Sequence, residues 1–506
     1  MVLTYQKPKG KSVDFESIKK LLDKHPDLQT LNPDGLPSIG KPPAFNSFSR
    51  DLMPLKKMFD IYGNSAGLIA DDLPKPPATK IRLGGGSPGS FPLFPPVAKA
   101  IKDKLYTHKM NEYPMAAGDE QSRCDVADYM NSIGYPNIDK SNIIFTSGST
   151  QGFEFVLKLI LSSDDIVIIP APNYGLFSFI PERVGAVVKF MDLSPEYNWL
   201  PNPEKLAKIL DENPTAKVFI NTNPHNPMGR VMGKEDIELL SKIHQICSER
   251  GVFVIDDLTY RDLGFNQDNM AVPIATLPNA FPNTISLFSL SKCYHAAALR
   301  AGAIVADERI IAGIRNHIFQ TIDSVSIDTC VAFAGAYNNT PERHNEYNKY
   351  FKTVLKEYRY RYYLMKAIID GINSIQDKNL REEIKKDIDK LAIDKPTDYD
   401  GIPNIDLITA DLPDSGFFAM LDFTKMKNKY YYSHRIINDE ELSRFFYCDN
   451  NIKFLTGSSI GWPNKEQLVG RVTFAFDRSG LINSFLKLKE SAGKIKDHPT
   501  DYHEAQ

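Results

Sequence analysis

Short apolar runs alternate with longer amphipathic stretches between residues 81 and 310. A strand inside a parallel sheet is buried on both faces and is continuously apolar, whereas a covering helix has apolar residues every three or four positions. Strand-like runs occur as NIIFTSG at 142–148, DIVIIP at 165–170, KVFIN at 217–221, VFVID at 252–256, TISLFS at 284–289 and AGAIVA at 301–306. The alternation predicts an α/β fold with a mostly parallel sheet covered on both faces.

Changes in composition and pattern predict the domain boundaries. Residues 47–70 have a helical pattern that PKPPATK ends, and a long helix from about residue 341 is followed by strand-like GFFAMLDF and RVTFAFD. We expect, in chain order, an N-terminal extension at 1–46, an N-terminal arm or part of a small domain at 47–80, a large domain at 81–345, a small C-terminal domain at 346–493 with a charged surface insertion at 373–411, and a tail at 494–506.

Charge and composition narrow the possible partners. The 506-residue chain has a formal net charge of −3, which gives no electrostatic reason to bind nucleic acid or an anionic membrane. No apolar run approaches the roughly 20 residues that span a bilayer, and the N-terminus lacks the apolar core of a secretory signal. Five scattered cysteines without a CxxC pair predict free thiols and a cytoplasmic protein.

The segment TSGSTQGF begins where a predicted strand ends and a predicted helix starts. In open α/β sheets, ligands bind at the carboxyl ends of the strands. Here Ser147, Gly148, Ser149 and Thr150 bring hydroxyl and N–H groups to the positive end of a helix, a suitable arrangement for a phosphate. Many such junctions bind nothing, so an ordinary turn is the alternative.

Two further strand ends carry polar residues. NTNPHNPMGR at 221–230 is a constrained turn that can hold Asn226 rigidly as a donor, or is an ordinary Asn-Pro turn. VFVIDDLTYRDL at 252–263 brings Asp256 and Asp257 to the end of an apolar strand, with Tyr260 three residues later. A carboxylate in that position requires a cation, which could simply be Arg261.

The last segment, LFSLSKCYHAAALR at 287–300, places Lys292 at the end of an apolar run and Arg300 eight residues later. A lysine there must be paired, neutral or covalently occupied. The neighbouring Cys293 is either a small buried thiol or a nucleophile, and Arg300 is either a surface residue or returns to the same cleft.

In this order, the motifs Ser-Gly-Ser-Thr, Asn-Pro-x-Asn-Pro-x-Gly, Asp-x-x-Tyr and Ser-x-Ser-Lys-x7-Arg resemble the class I and II aminotransferases of pyridoxal phosphate (PLP) fold type I, which are aspartate aminotransferase-like. The resemblance extends to RLGGGSPGSFP, EYPMAAGDEQSR, SGFFAMLDF and GRVTFAFD, and covers about residues 47–480 apart from 373–411. It implies a large domain with a mostly parallel seven-stranded sheet between helices, and a smaller α+β domain.

The resemblance also implies the cofactor, pyridoxal 5′-phosphate, and roles for the polar residues. Lys292 would form the Schiff base and act as general base. Asp257 would pair with the pyridine nitrogen, with Asp256 as the rival for this role. Tyr260 and Asn226 would hydrogen-bond the phenolic oxygen of the cofactor.

Other residues would hold the phosphate and the ring by the same resemblance. The phosphate would lie against Ser147, Gly148, Ser149, Ser289, Ser291 and Arg300. Tyr174 would stack on the ring, although a core position is the alternative. Tyr113 resembles the residue that reaches the phosphate of the neighbouring subunit, which implies a homodimer with shared active sites.

For the substrate, Arg471 resembles the arginine that binds the α-carboxylate, helped by the Gly86 backbone and Asn226. The implied activity is a ping-pong transfer of an amino group from an α-amino acid to a 2-oxo acid. A PLP-dependent lyase or decarboxylase of the same fold is the alternative, and a non-enzymatic regulator or scaffold is a third reading. No motif assigns a second cation for a dicarboxylate, and the unplaced candidates are Arg82, Arg230 and Arg261.

Some positions depart from the family pattern. Met228 replaces the usual threonine in the asparagine turn, and HAAALR replaces the usual Pro-Gly or Ala-Gly step after the lysine. Within it, His295 either faces the cofactor or is packed or solvated. The segments 1–45 and 373–411 have no counterpart in the family pattern and could form a lid, an oligomer contact, or neither.

Overall fold

The computed structural model describes residues 73–394, 396, 398–409 and 411–500. The predicted N-terminal extension, the helix expected at 47–70 and the end of the tail lie outside these residues.

The central element is a seven-stranded sheet in the order β1-β7-β6-β5-β4-β2-β3. All neighbouring strands are parallel except that β7 runs antiparallel to both β1 and β6. The strands are β1 Ile143–Ser147, β2 Ile166–Ala171, β3 Val187–Asp192, β4 Ala216–Thr222, β5 Phe253–Asp257, β6 Thr284–Ser289 and β7 Ala301–Val305. The predicted mostly parallel sheet is therefore confirmed.

One strand, β3, is not among the apolar runs of the sequence. It forms an edge of the sheet, and of its six residues only Met191 is buried. An edge strand is solvated on its free side and does not need a continuous apolar run, so its sequence VVKFMD gives a weak signal.

Helices cover both faces of this sheet, as predicted. Side chains of the helices at 149–160, 176–183 and 308–321 pack with one set of strand residues, and those of the helices at 203–212 and 237–249 pack with the opposite set. The helices up to this point are α1 Pro95–Leu105, α2 Glu120–Ser132, α3 Ser149–Ile160, α4 Leu176–Arg183, α5 Pro203–Glu212, α6 Ile237–Glu249, α7 Leu290–Cys293, α8 Glu308–Thr321 and α9 Ile327–Ala336.

Helix α6 is amphipathic, with a buried apolar face. Leu240, Ile243 and Cys247 are buried, but Ile237 in the first turn is 44% exposed. The helix ends at Glu249, and Gly251 follows with a φ of +66°. That left-handed conformation explains why glycine stands where the chain turns back toward β5.

The C-terminal part contains two smaller antiparallel sheets, in the orders β12-β13-β9-β8 and β11-β10-β14. Their strands are β8 Asp406–Leu407, β9 Phe418–Asp422, β10 Tyr430–Tyr431, β11 His434–Arg435, β12 Leu455–Thr456, β13 Val469–Thr473 and β14 Ile495–Lys496. The helices are α10 Pro341–Ile369, α11 Lys378–Leu391, α12 Asp439–Asn450 and α13 Arg478–Gly493.

The charged segment 373–411 is integrated into this part of the fold. Its helix α11 buries Ile384 and Ile388, and its strand β8 extends the four-stranded sheet. Arg478 of α13 donates to Asp387 of α11 and to Glu357 of α10, at 2.8 and 2.7 Å. Half-buried ion pairs of this kind hold the three helices together.

Among the described residues, no helix is both long and apolar enough to cross a membrane. The five cysteines are free thiols, and Cys293 is buried with its Sγ 3.2 Å from the carbonyl oxygen of Thr259. Burial raises the pKa of Cys293, so the thiolate is disfavoured and the interpretation as a small buried thiol is the better one.

Candidate active site

A cavity of about 270 Å³ opens at the carboxyl ends of β4, β5 and β6. Its walls come from these strand ends, the start of α3, the loop before α4, the glycine-rich segment at 84–86, and two side chains of the four-stranded sheet. Of the predicted site residues, it is lined by Gly86, Ser149, Thr150, Tyr174, Asn226, Asp257, Tyr260, Ser289, Ser291, Lys292, Arg300 and Arg471. The topology thus brings residues from distant segments to one place, as expected for a doubly covered parallel sheet.

Lys292 lies in the short helix α7, directly after the buried strand β6. Its Nζ donates a hydrogen bond to the carbonyl oxygen of Gly86 at 2.5 Å. Burial, assisted by the positive charges of Arg471 and Arg300, lowers the pKa of Lys292 to about 8, although Asp257 opposes the shift. The amine is therefore close to its neutral, nucleophilic form near physiological pH.

Asp256 and Asp257 are adjacent at the end of β5, so their side chains point to opposite faces of the sheet. Asp256 accepts hydrogen bonds from Asn221 Nδ2 and Ile274 N, both at 2.8 Å, outside the cavity. Asp257 lines the cavity and accepts from Thr259 Oγ1 at 2.6 Å. Burial raises the pKa of Asp256 to about 7 and that of Asp257 to about 6. The geometry favours Asp257 as the carboxylate that faces a ligand.

Arg471 enters the cavity from β13 of the small sheet. Its guanidinium donates to Asn226 Oδ1 at 3.0 Å and to the carbonyl oxygen of Gly84 at 2.8 Å, and lies 3.9 Å from the ring centroid of Phe418. These contacts fix the plane of the buried, permanently charged guanidinium, whose paired N–H groups can bind the two oxygens of a carboxylate. Met228, the departure in the asparagine turn, is buried in a cluster that includes Trp462.

Arg300 packs against the start of α3. A Cβ on Gly148, which has a φ of +82°, would lie 2.4 Å from Arg300 Nη2, so only glycine allows this approach. The Arg300 guanidinium also reaches Ser291 Oγ at 3.4 Å, and Ser149 begins the 12-residue helix. Ser289 Oγ accepts from Ser291 N at 3.2 Å. Hydroxyls, a guanidinium and helix N–H groups together form a donor set that fits a phosphate.

Two tyrosines, Tyr174 and Tyr260, line the cavity. Tyr260 is buried beside Phe417 and Phe418, with ring centroids 5.8 and 6.0 Å away, and burial raises its pKa. Tyr174 lies edge-to-face with Phe177 at 5.6 Å. The Tyr260 phenol therefore remains protonated and can donate a hydrogen bond into the cavity.

Three predicted site residues do not line the cavity. The backbone N–H of Ser147 donates to Gln151 Oε1 at 2.8 Å, and Gly148 contributes through its contact with Arg300. Tyr113 is 89% exposed and lies away from the cavity of its own chain.

The candidates for a second cation also lie elsewhere. Arg230 pairs with Asp414 at 3.3 Å, Arg261 pairs with Asp262 at 3.1 Å, and Arg82 is exposed. Among the described residues, the cations that line the cavity are Lys292, Arg300 and Arg471.

Several residues of the cavity were not found from the sequence. Thr259 anchors Asp257, and its position two residues after the aspartate is the signal that could have identified it. Gly84 and Phe418 hold Arg471 through contacts that no local pattern reveals. The remaining additions are Gly85, Phe153, Leu176, Phe177, Ile180, Leu287 and Ala297, most of them apolar residues that resemble ordinary core positions.

Comparisons with known proteins identify relatives of this chain. The family model described as aminotransferase class I and II matches residues 78–379. The tyrosine aminotransferase of Bos taurus is 31% identical over 252 residues, 49% of this chain and 55% of that protein. Nicotianamine aminotransferase 1 of Oryza sativa subsp. japonica is 26% identical over 433 residues, 84% of this chain and 78% of that protein. The chain thus spans about half the length of the bovine relative.

Solved structures share the fold. The aspartate aminotransferase from Rhizobium meliloti superposes with a TM-score of 0.67 over 91% of this chain and 98% of that one, at 16% identity. Similarity at this identity shows the fold alone, and it confirms the predicted aspartate aminotransferase-like architecture of PLP fold type I.

Proposed function

Because the chain belongs to the class I and II aminotransferase family, we propose that it is a PLP-dependent aminotransferase that transfers an amino group from an α-amino acid to a 2-oxo acid. The observation that carries this proposal is the cavity that combines the low-pKa amine of Lys292 with the carboxylate of Asp257 and the guanidinium of Arg471. A covalent anchor, a partner for a ring nitrogen and a carboxylate receptor are the three groups that the chemistry requires.

The residues of the cavity fit the cofactor that the family uses. Lys292 would hold it covalently, Asp257 would face its ring nitrogen, and Tyr174 would lie on the ring face. Asn226 and Tyr260 would donate to its phenolic oxygen. The phosphate would be bound by Ser147, Gly148, Ser149, Ser289, Ser291 and Arg300. When bound, PLP supplies an electron sink that weakens the bonds at the substrate Cα.

The chain itself contributes orientation and proton transfer. Arg471 would bind the substrate α-carboxylate in a bidentate manner, because its guanidinium is already held by Asn226 and Gly84. The backbone of Gly86 and the amide of Asn226 would help to fix this carboxylate. Lys292, once neutral, would take the proton from the substrate Cα and would deliver it to C4′ of the cofactor.

The lining also suggests the class of amino donor. The three cations of the described cavity are needed for the α-carboxylate, the phosphate and the covalent link, so none is left for a second carboxylate. The remaining walls include Phe153, Leu176, Phe177, Ile180 and Phe418. A buried carboxylate without a cation is costly, whereas an aromatic or aliphatic side chain is not. We therefore propose an amino donor with an uncharged side chain, in line with the tyrosine aminotransferases among the relatives.

The absorbance spectrum of the purified protein, loaded with PLP, tests this function. We expect a visible band that shifts to the near ultraviolet when tyrosine or phenylalanine is added, with a kcat/KM about 100-fold higher than for aspartate. The shift should reverse on addition of a 2-oxo acid. Absence of the band would contradict PLP binding. Release of ammonia or CO2 without a 2-oxo acid would instead support the lyase or decarboxylase alternative.

We also propose that the protein acts as a homodimer with shared active sites. The segment around α1 and the following loop presents an unusual set of exposed apolar side chains, namely Leu105, Tyr106, Met110, Tyr113 and Met115. A second copy of the chain would cover them and would bring its Tyr113 to the phosphate site.

Mixed dimers test the role of Tyr113. If its hydroxyl acts in the partner's site, a Tyr113→Phe subunit combined with a Lys292→Ala subunit contains one intact site, and activity returns to about half of the wild-type value. The Tyr106→Phe variant is the control, since Tyr106 is also exposed, at 86%. A mixed dimer as inactive as the two parents would show that Tyr113 does not act across the dimer.

A further inference from the structure

The two cations that would act on the substrate are held by one irregular segment. Lys292 Nζ donates to the carbonyl oxygen of Gly86, and Arg471 Nη2 donates to that of Gly84. The residues from Gly84 to Pro92 form neither a helix nor a strand, so internal hydrogen bonds do not fix their positions. Other parts of the protein must therefore hold this segment, called the glycine segment below.

A cluster of His295, Tyr350 and Tyr358, which do not line the cavity, contacts the glycine segment. The Tyr350 hydroxyl donates to the carbonyl oxygen of Pro92 at 2.7 Å, and the Tyr358 hydroxyl donates to that of Pro88. His295 lies between the two phenols, with Nδ1 2.6 Å from the Tyr350 oxygen and Nε2 3.0 Å from the Tyr358 oxygen. One imidazole thus connects the two phenols that donate to Pro88 and Pro92 of the glycine segment.

The cluster also connects the segment to Lys292. His295 follows Lys292 by three residues and has a φ of +54°, a left-handed conformation that turns the chain immediately after α7. Its ring packs on Phe91 with the centroids 4.8 Å apart, and Arg361 Cζ lies 4.8 Å from the centroid of the Phe91 ring. The imidazole is therefore fixed both to the peptide that carries Lys292 and to the segment that Lys292 contacts.

The neutral state of the His295 imidazole determines how it bonds to the two tyrosines. Burial lowers the pKa of His295 to about 4, so the ring is neutral and has one N–H. The ring therefore meets the two phenols as a donor on one nitrogen and as an acceptor on the other, and loss of the imidazole removes a hydrogen-bond partner from both tyrosines.

We propose that His295, Tyr350 and Tyr358 are positioning residues for the reaction. They hold the glycine segment so that the carbonyl oxygens of Gly84 and Gly86 set the positions of Arg471 and Lys292. This answers the open question about His295, which is packed and does not line the cavity. The inference rests on the proposed aminotransferase function for its kinetic consequences, but not for its structural ones.

The test compares Tyr350→Phe, Tyr358→Phe and His295→Gln with the control Tyr362→Phe. Tyr362 is the matched control because it lies one turn after Tyr358 in α10, is equally buried, and donates to the carbonyl oxygen of Asp411, outside the glycine segment. Each phenylalanine removes the two hydrogen-bond contacts of one hydroxyl and leaves the ring packing, so the three tyrosine variants are matched and should fold.

Two measurements separate positioning from general stability. In the ligand-free protein, the N–H groups of Gly84 and Gly85 are hydrogen-bonded, so we expect amide hydrogen exchange in peptides that cover residues 84–94 to accelerate about tenfold in the two cluster tyrosine variants, and to stay unchanged in Tyr362→Phe. In the PLP-loaded enzyme, KM for the amino donor should rise about tenfold, while the covalent link to Lys292 persists. His295→Gln, which keeps one donor and one acceptor, should give an intermediate effect on both.

Unchanged exchange at 84–94 in all three cluster variants would overturn the proposal, and so would equal changes in Tyr362→Phe. If the wild-type protein failed to bind PLP, the proposed function would fall, but the exchange experiment on the ligand-free protein would still decide the positioning role.

Discussion

Replacing Lys292 with alanine is expected to abolish covalent attachment of PLP and to lower the rate of amino transfer by about 10⁴-fold. The Lys292 side chain is buried directly after β6 and has a pKa of about 8. Among the described lysines, it is the one that lines the cavity. The variant loses both the anchor and the group that moves the Cα proton. Borohydride reduction followed by peptide mass spectrometry reports the link, and single-turnover absorbance reports the rate.

Lys453→Ala is the control for this experiment. Among the described residues, Lys453 is the other lysine whose pKa is lowered, by burial and by the charges of Lys80 and Arg82. A low-pKa amine reacts with aldehydes wherever it lies, so nonspecific labelling should favour this site. A label that survives in Lys292→Ala but disappears in Lys453→Ala would contradict the assignment of Lys292.

The second large effect is expected for Asp257→Asn, which should lower the rate of amino transfer by about 10³-fold with little change in the fold. Burial raises the pKa of Asp257 to about 6, so its charge is costly unless a cation faces it. A protonated ring nitrogen would be such a cation, and asparagine of the same shape cannot stabilise it. Kinetics of the half-reaction and the absorbance of bound cofactor measure the loss.

Asp256→Asn is the matched control, because it changes the neighbouring residue in the same way. Asp256 accepts its hydrogen bonds from Asn221 and Ile274 and does not line the cavity. We expect a change in thermal stability but an almost unchanged rate. If the rate loss belonged to Asp256→Asn and not to Asp257→Asn, the roles of the two aspartates would have to be exchanged.

The fold could be predicted to a large extent from the pattern of apolar residues. Strands that are buried on both faces require continuous apolar runs, and six of the seven central strands have them. The seventh, β3, lies at an edge, where one side is solvated and the requirement is relaxed. The segment 373–411 was expected to be a surface insertion, and most of its described residues are exposed or half-buried, but the two isoleucines of α11 pack the segment against the C-terminal part.

The residue types of the site were also visible in the sequence. Lys292, Asp257, Asn226 and Arg300 each follow a predicted strand or lie close to its end, where polar residues are unexpected unless they have a role. Spacing between motifs identified the family because the chemistry constrains a few residue types at the ends of successive strands.

The tertiary structure alone decided which of these groups meet and in which direction they point. Asp256 and Asp257 are chemically identical neighbours, and only the faces of β5 separate the one in the cavity from the one outside it. Arg471 and Gly84 are 387 positions apart, and Lys292 and Gly86 are 206 apart, yet each pair forms a hydrogen bond. Local periodicity records whether a residue is buried, because burial repeats with the helix or strand. Contacts across hundreds of residues depend on the order of the strands and the packing of the small sheet, which no local pattern contains.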